Sequence, residues 1–147
     1  MFNLDASERI SRWREFRKLL DTMTFDQALE AVVEFWRLCP FSPYYLDPDH
    51  PEEWPDPWTL VEENWYCDLA KSVAMLYTIK FTKHAPEATV RVYLDPATGY
   101  SYNLVWIDQG KYVINYWHDE VVNNTQLDEE LTLKYRYTAA DLNLHTY

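Results

Sequence analysis

The run Leu69-Ala70-Lys71-Ser72-Val73-Ala74-Met75-Leu76-Tyr77-Thr78 constrains the fold more than any other part of this chain. Its apolar residues do not keep to one stripe. A helix made from it is apolar on most sides and has to be buried nearly all round. Everything else must therefore assemble around it. The spacing predicts a helix reaching about Phe81, with Cys67 in its first turn.

Two amphipathic patterns precede this helix. Asp5 with Glu8 is a capping-box-like pair, and Ile10, Trp13, Phe16, Leu19 and Leu20 follow at spacings of three and four. Arg9, Arg12, Arg14, Arg17 and Lys18 fall mostly on the other faces and read as a solvated basic face, with a basic docking surface as the sharper alternative. Thr24 with Gln27 forms a second capping box before Ala28, Leu29, Val32, Val33, Phe35 and Trp36. That helix has to stop ahead of Pro40, and Cys39 at its end reads as a small buried hydrophobe.

Between Pro40 and Pro57 the chain holds six prolines and cannot be regular. It also carries Tyr44, Tyr45 and Trp54, which a flexible linker would lack, and several acids without a lysine or arginine. It reads as an ordered strap lying over the domain or presented to a partner, with Tyr44, Tyr45, Trp54 and Trp58 as candidate partner contacts. Asp47, Asp49, His50, Glu52 and Glu53 lack the spacing and the glycine of an EF-hand loop, so a solvated acidic loop is expected and no metal. Asp56-Pro57 restarts helix as an N-cap with proline at the first helical position.

The period changes after Pro86. Thr89–Leu94, Tyr100–Ile107 and Tyr112–Trp117 are β-rich, separated by the turn signals Asp95-Pro96-Ala97-Thr98-Gly99 and Asp108-Gln109-Gly110-Lys111. Leu131–Tyr137 alternates and reads as a fourth strand. The expected class is α+β: N-terminal helices and a central cysteine-bearing helix packed on an antiparallel sheet of three to four strands. A single domain is expected over 1–147, with a helical hairpin in 1–39, the strap in 40–57 and a helix-plus-sheet core in 58–147.

A formal net charge of −11 supplies no positive field for phosphate, which argues against nucleic acid and anionic membrane surfaces as partners. The 17% aromatic content fits a packed aromatic core or an assembly interface between proteins. The opening Met1-Phe2-Asn3-Leu4-Asp5 does not read as a secretion signal, and no apolar run is long enough to span a membrane. A cytoplasmic setting with Cys39 and Cys67 reduced is expected. With Gly99 and Gly110 the only glycines, no phosphate-cradling loop is possible and no cofactor is expected.

A thiol at a helix N-terminus feels unpaired N–H groups that favour the thiolate, but a cysteine nucleophile also needs a base and a group to orient it. Cys67-Asp68-Leu69-Ala70, the following apolar helix and the strand meander resemble the core of the transglutaminase-like (papain-like) superfamily. Asn103-Leu104-Val105-Trp106-Ile107-Asp108 is similar to that family's His-Ala-Trp-Val-Glu pattern, and Lys111-Tyr112-Val113-Ile114-Asn115 to its Gly-x-Trp-Val-x-Asp pattern. The resemblance covers Trp65 to His118. It implies Cys67 as nucleophile and puts Asn103 and Asn115 where the family has its catalytic His and Asp. An amide does not titrate, so these two cannot activate a thiol as the family does. His118, beside Asp119 and Glu120, and His84 are the alternative bases.

A second resemblance, of Trp54–Thr78 to small proteins of large contractile-tailed phages, implies a virion or assembly component. The reading that follows is a non-catalytic structural or assembly protein, a component of a tailed-phage virion, acting through protein–protein contacts. The runner-up is a Cys67-dependent hydrolase, acyltransferase or deamidase, and a third is an acidic decoy covering a basic protein surface.

Overall fold

The computed structural model describes residues 1–43 and 46–142. Four α-helices and four strands follow in the expected order: α1 (Ala6–Leu20), α2 (Phe25–Trp36), α3 (Pro57–Glu63), α4 (Asp68–Lys80), β1 (Ala88–Leu94), β2 (Ser101–Ile107), β3 (Tyr112–Ile114) and β4 (Thr132–Tyr137). The strands form one antiparallel sheet in the order β3-β2-β1-β4. This is an α+β fold.

The caps fall where the sequence places them. Asp5 accepts from the Glu8 N–H at α1, Thr24 and Gln27 close a full capping box at α2, and Asp56 with Pro57 opens α3. The α4 residues Leu69 to Ile79 are all buried. One side of α4 meets the other three helices and the opposite side meets β1 and β2. The burial is possible because the polar side chains on α4 are paired. Thr78 Oγ1 accepts from Trp13 Nε1 at 2.9 Å and Trp36 Nε1 at 3.0 Å while donating to the Ala74 carbonyl at 2.7 Å. Ser72 Oγ reaches across to the Asn103 carbonyl of β2 at 2.6 Å.

The basic face of α1 is only partly solvated. Arg9 Nε donates to the Val61 carbonyl at 3.1 Å, and the same guanidinium reaches the Leu4 and Glu62 carbonyls. It thus satisfies carbonyls at the end of α3, where cations belong. The Arg17 guanidinium lies 4.2 Å from the Trp13 ring centroid. Part of the aromatic surplus enters the core: Trp13, Trp36, Tyr66 and Tyr77 are almost wholly inaccessible.

β3 is shorter than the alternation predicts. It stops at Ile114 because Asn115 takes a left-handed backbone, φ 67°, which asparagine tolerates better than most residues. The β2–β3 hairpin needs Gly110, at φ +86°: a Cβ there would lie 2.4 Å from Trp106 Cζ2. Trp106 is in turn held by the Arg91 guanidinium, 4.1 Å from its ring centroid.

The strap is ordered through its described part. Residues Pro51–Glu53 form a 3-10 turn. Trp54 Nε1 donates to the Asp47 carbonyl at 2.7 Å, and its ring meets Tyr137 of β4 edge-on at 4.6 Å. The Tyr137 hydroxyl donates to the Pro48 carbonyl at 2.5 Å and Tyr135 to Asp49 Oδ1 at 2.8 Å. The strap is therefore fastened to the edge strand β4. Of the candidate partner contacts, Trp54 is buried and Trp58 is half-buried, packing against Trp13 and Phe81, while Tyr44 and Tyr45 lie outside the described residues. No helix among the described residues is long and apolar enough to cross a membrane.

Thr78 yields a direct test. Thr78→Val keeps the volume but leaves two buried indole N–H groups without their acceptor, and should cost about 2–5 kcal/mol in urea unfolding, while Thr78→Ser, which keeps the oxygen, should cost roughly 1 kcal/mol or less.

Candidate functional site

Cys67 is the N-cap of α4 and not a residue of its first turn. Its backbone is extended (φ −73°, ψ 172°) and Sγ accepts from the Ala70 N–H at 3.4 Å. The sulfur fills the place that a Ser, Thr or Asp oxygen commonly fills. Its side is largely buried, and it borders a cavity of about 390 Å³. Phe41, Leu46 and Pro48 from the strap side face Leu69, Val92 and Tyr135 across this cavity. Asp68, Ser101 and Asn103 border it too, and the same three border a second cavity of about 450 Å³ that continues to Asn115 and His118. The two cavities thus share three lining residues, one of which, Asp68, follows Cys67 directly in the chain.

The family-equivalent positions do come together, but as a brace. Asn115 Nδ2 donates to Ser72 Oγ at 3.0 Å and to the Asn103 carbonyl at 2.7 Å. Ser72 ties that carbonyl to α4 in turn. Asn115 therefore holds the start of α4 against β2 and orients a backbone group, not a base. Ser72 is not legible as a site residue in the sequence; its one signal is a serine inside a mostly apolar helix.

The two histidines part company. Beyond the end of α4, His84 Nε2 donates to the Leu20 carbonyl at 3.0 Å, and its ring meets Phe25. The thirteen residues of α4 put it about 20 Å from the Cys67 end, so it cannot serve this thiol. His118 borders the cavity that Asn103, Asn115 and Asp68 also border.

Cys39 has a different environment. Burial raises its thiol to about 11, opposed by the Lys71 ammonium and reinforced by Asp68. Within the strap, His50, Glu52 and Glu53 each place one ligand atom within 4.8 Å of the others. All three are exposed, and His50 Nδ1 already bonds Glu52 Oε1 at 3.0 Å.

This arrangement of a cysteine-started buried helix against an antiparallel meander is a transglutaminase-like fold. No family model matches the sequence, and no curated protein matches it. Among solved structures the chain is similar to LapG of Legionella pneumophila. The EGTA-treated form aligns over 91% of this chain and 74% of its own at 11% identity and a TM-score of 0.72. The calcium-bound form aligns over 93% and 78%, at 11% identity and a TM-score of 0.71. A third LapG structure gives 91% and 75%, at 10% identity and a TM-score of 0.70.

This likeness overturns the reading as a non-catalytic assembly component of a tailed-phage virion. That reading rested on the texture of Trp54–Thr78 and on the two asparagines. The fold neighbours instead share a transglutaminase-like fold with this chain over nine-tenths of its length.

Two measurements check the site. The folded Cys39 thiol ionises above the unfolded value of about 8.5, so its stabilising effect is complete below that pH and lost as pH rises toward 11. The urea midpoint should fall over that window, and by less in Cys39→Ala. Asn115→Ala combines a strained φ of 67° with loss of the brace and should cost about 1–3 kcal/mol, with Asn115→Gly recovering the strain component only.

Proposed function

We propose that this chain is a cysteine-dependent hydrolase in which Cys67 is the nucleophile. The observation that carries the reading is the position of its sulfur: at the N-cap of the buried α4, on the wall of an apolar cavity, in a fold shared with LapG. LapG is known in a calcium-bound and an EGTA-treated form. The Ala70 N–H at the start of α4 donates to that sulfur at 3.4 Å.

The thiolate attacks the acyl carbon, forming an S–C bond and breaking the bond to the leaving amine. His118 takes the thiol proton and passes it to that amine. Water then adds to the thioester, His118 takes the water proton, and the thiol and carboxylic acid are released. Asn103 supplies no base, but its amide N–H can donate to the carbonyl oxygen as negative charge develops there. Ser72 and Asn115 act as positioning residues by keeping β2 seated on α4.

Calcium takes about six to eight oxygen ligands. His50, Glu52 and Glu53 offer one nitrogen and two carboxylates on an exposed turn, a set that does not fit it. No step is assigned to a metal.

The test uses the Cys39→Ala protein and a short N-acetylated peptide p-nitrophenyl ester, with intact-mass detection of the acyl adduct. One adduct should form and be absent in Cys67→Ala. Alkylation by iodoacetamide at neutral pH should be faster at Cys67 than at glutathione, and His118→Ala should slow acylation by about 100-fold or more. A Cys67 no more reactive than glutathione, and indifferent to His118, would refute the assignment.

A further inference from the structure

The cavity of about 450 Å³ beyond Asn103 has a character that thiol chemistry does not need. Tyr100, Tyr102 and Tyr116 border it, together with the carboxylate of Asp68. The Tyr102 and Tyr116 rings stand 5.2 Å apart with a 44° tilt. Tyr116 is fixed through its hydroxyl, which accepts from the Asp128 N–H at 3.3 Å. Tyr100 follows Gly99, whose φ of +77° turns the chain, and its ring is exposed. Among the described residues His118 is the one basic side chain that borders this cavity, and no lysine or arginine does. Burial, and then Tyr116, Asp95 and Asp128, hold the Tyr102 phenol above its ordinary range. The surroundings are thus electron-rich and negative.

Aromatic faces next to a carboxylate form a receptor for an organic cation, since the ring quadrupole and the anion attract the same charge. The chain's net charge of −11 adds a field of the same sign. The other cavity, at Cys67, is mainly apolar. We propose that the tyrosine-lined cavity is a subsite for an arginine or lysine side chain of an extended peptide, whose apolar neighbour lies under the strap beside Cys67. Asp68, Ser101 and Asn103, which border both cavities, mark the crossing point. The use of the cavity as a substrate subsite rests on Cys67 being the nucleophile. The binding of a cation does not, and the experiment separates the two.

The full chain carrying Cys67→Ala is titrated with N-acetyl-arginine amide and with its neutral isostere N-acetyl-citrulline amide, read by amide chemical shifts. The arginine compound should give saturable shifts at Gly99–Asn103 and Tyr116 and bind at least about fivefold more tightly than the citrulline compound. Tyr102→Ala and Asp68→Asn should each weaken it about threefold or more, with spectra that remain dispersed as for a folded chain. Raising salt from about 20 to about 300 mM should weaken the arginine compound alone. Equal binding of the two compounds, shifts centred elsewhere, or no binding by either overturns the subsite. Arginine binding in a protein whose Cys67 proves inert keeps the subsite and removes the hydrolase; an active Cys67 with no cation preference does the reverse.

Discussion

Thr78 Oγ1 accepts two indole N–H bonds inside the protein, from Trp13 of α1 and Trp36 of α2. A buried N–H without an acceptor is costly, so these bonds admit little rotation of α4 relative to the two helices. The rotation of α4 about its axis then decides what its other residues face. With Thr78 turned to the indoles, Ser72 is turned to β2 and Cys67 to the cavity under the strap. The geometry at the candidate nucleophile is thus set about three turns away, by a hydroxyl that meets no substrate.

The asparagines at the family's His and Asp positions acquire a physical role in this frame. Asn115 ends β3 in a left-handed conformation and uses its amide to hold Ser72 and the Asn103 carbonyl. An aspartate there would accept bonds and not donate them, and the brace to a carbonyl would be lost. The residue that weakens the resemblance is therefore the one that seats the sheet on the cysteine helix. Any proton transfer has to come from another group, and His118 borders the adjoining cavity.

The strap shows how a proline-rich acidic segment can be structural. Its backbone is kept out of ladders by proline, yet its carbonyls and Asp49 take bonds from Trp54, Tyr135 and Tyr137. Fastened this way it shields part of the edge strand β4, and its apolar side chains complete the wall opposite Leu69 and Val92. Clamp and cavity wall are one segment, so the shape of the Cys67 cavity depends on bonds made outside it.

Local signals sufficed wherever a residue acts on its neighbours in sequence. The caps at Asp5, Thr24 and Asp56, the all-round burial of α4 and the order of the strands were legible because capping, periodicity and turn chemistry are short-range. The end of β3 was not, since Tyr116 and Trp117 continue a β-rich composition and only the backbone turn at Asn115 stops it. Nor was the division of labour among aromatics: Trp54 reads as a partner contact until β4 supplies Tyr137. Cys67 could be named from its place at a helix start, Asn103 and Asn115 only through the resemblance to the transglutaminase-like pattern, and the two histidines as the remaining bases nearby. That His84 lies at the wrong end of α4, that His118 borders the adjoining cavity, and that Asn115 braces Ser72 were decided only in three dimensions. The sequence by itself determined the elements and the identity of the thiol. The tertiary structure decided which polar groups meet, because each such meeting depends on the rotation of one buried helix and on the pairing of strands far apart in the chain.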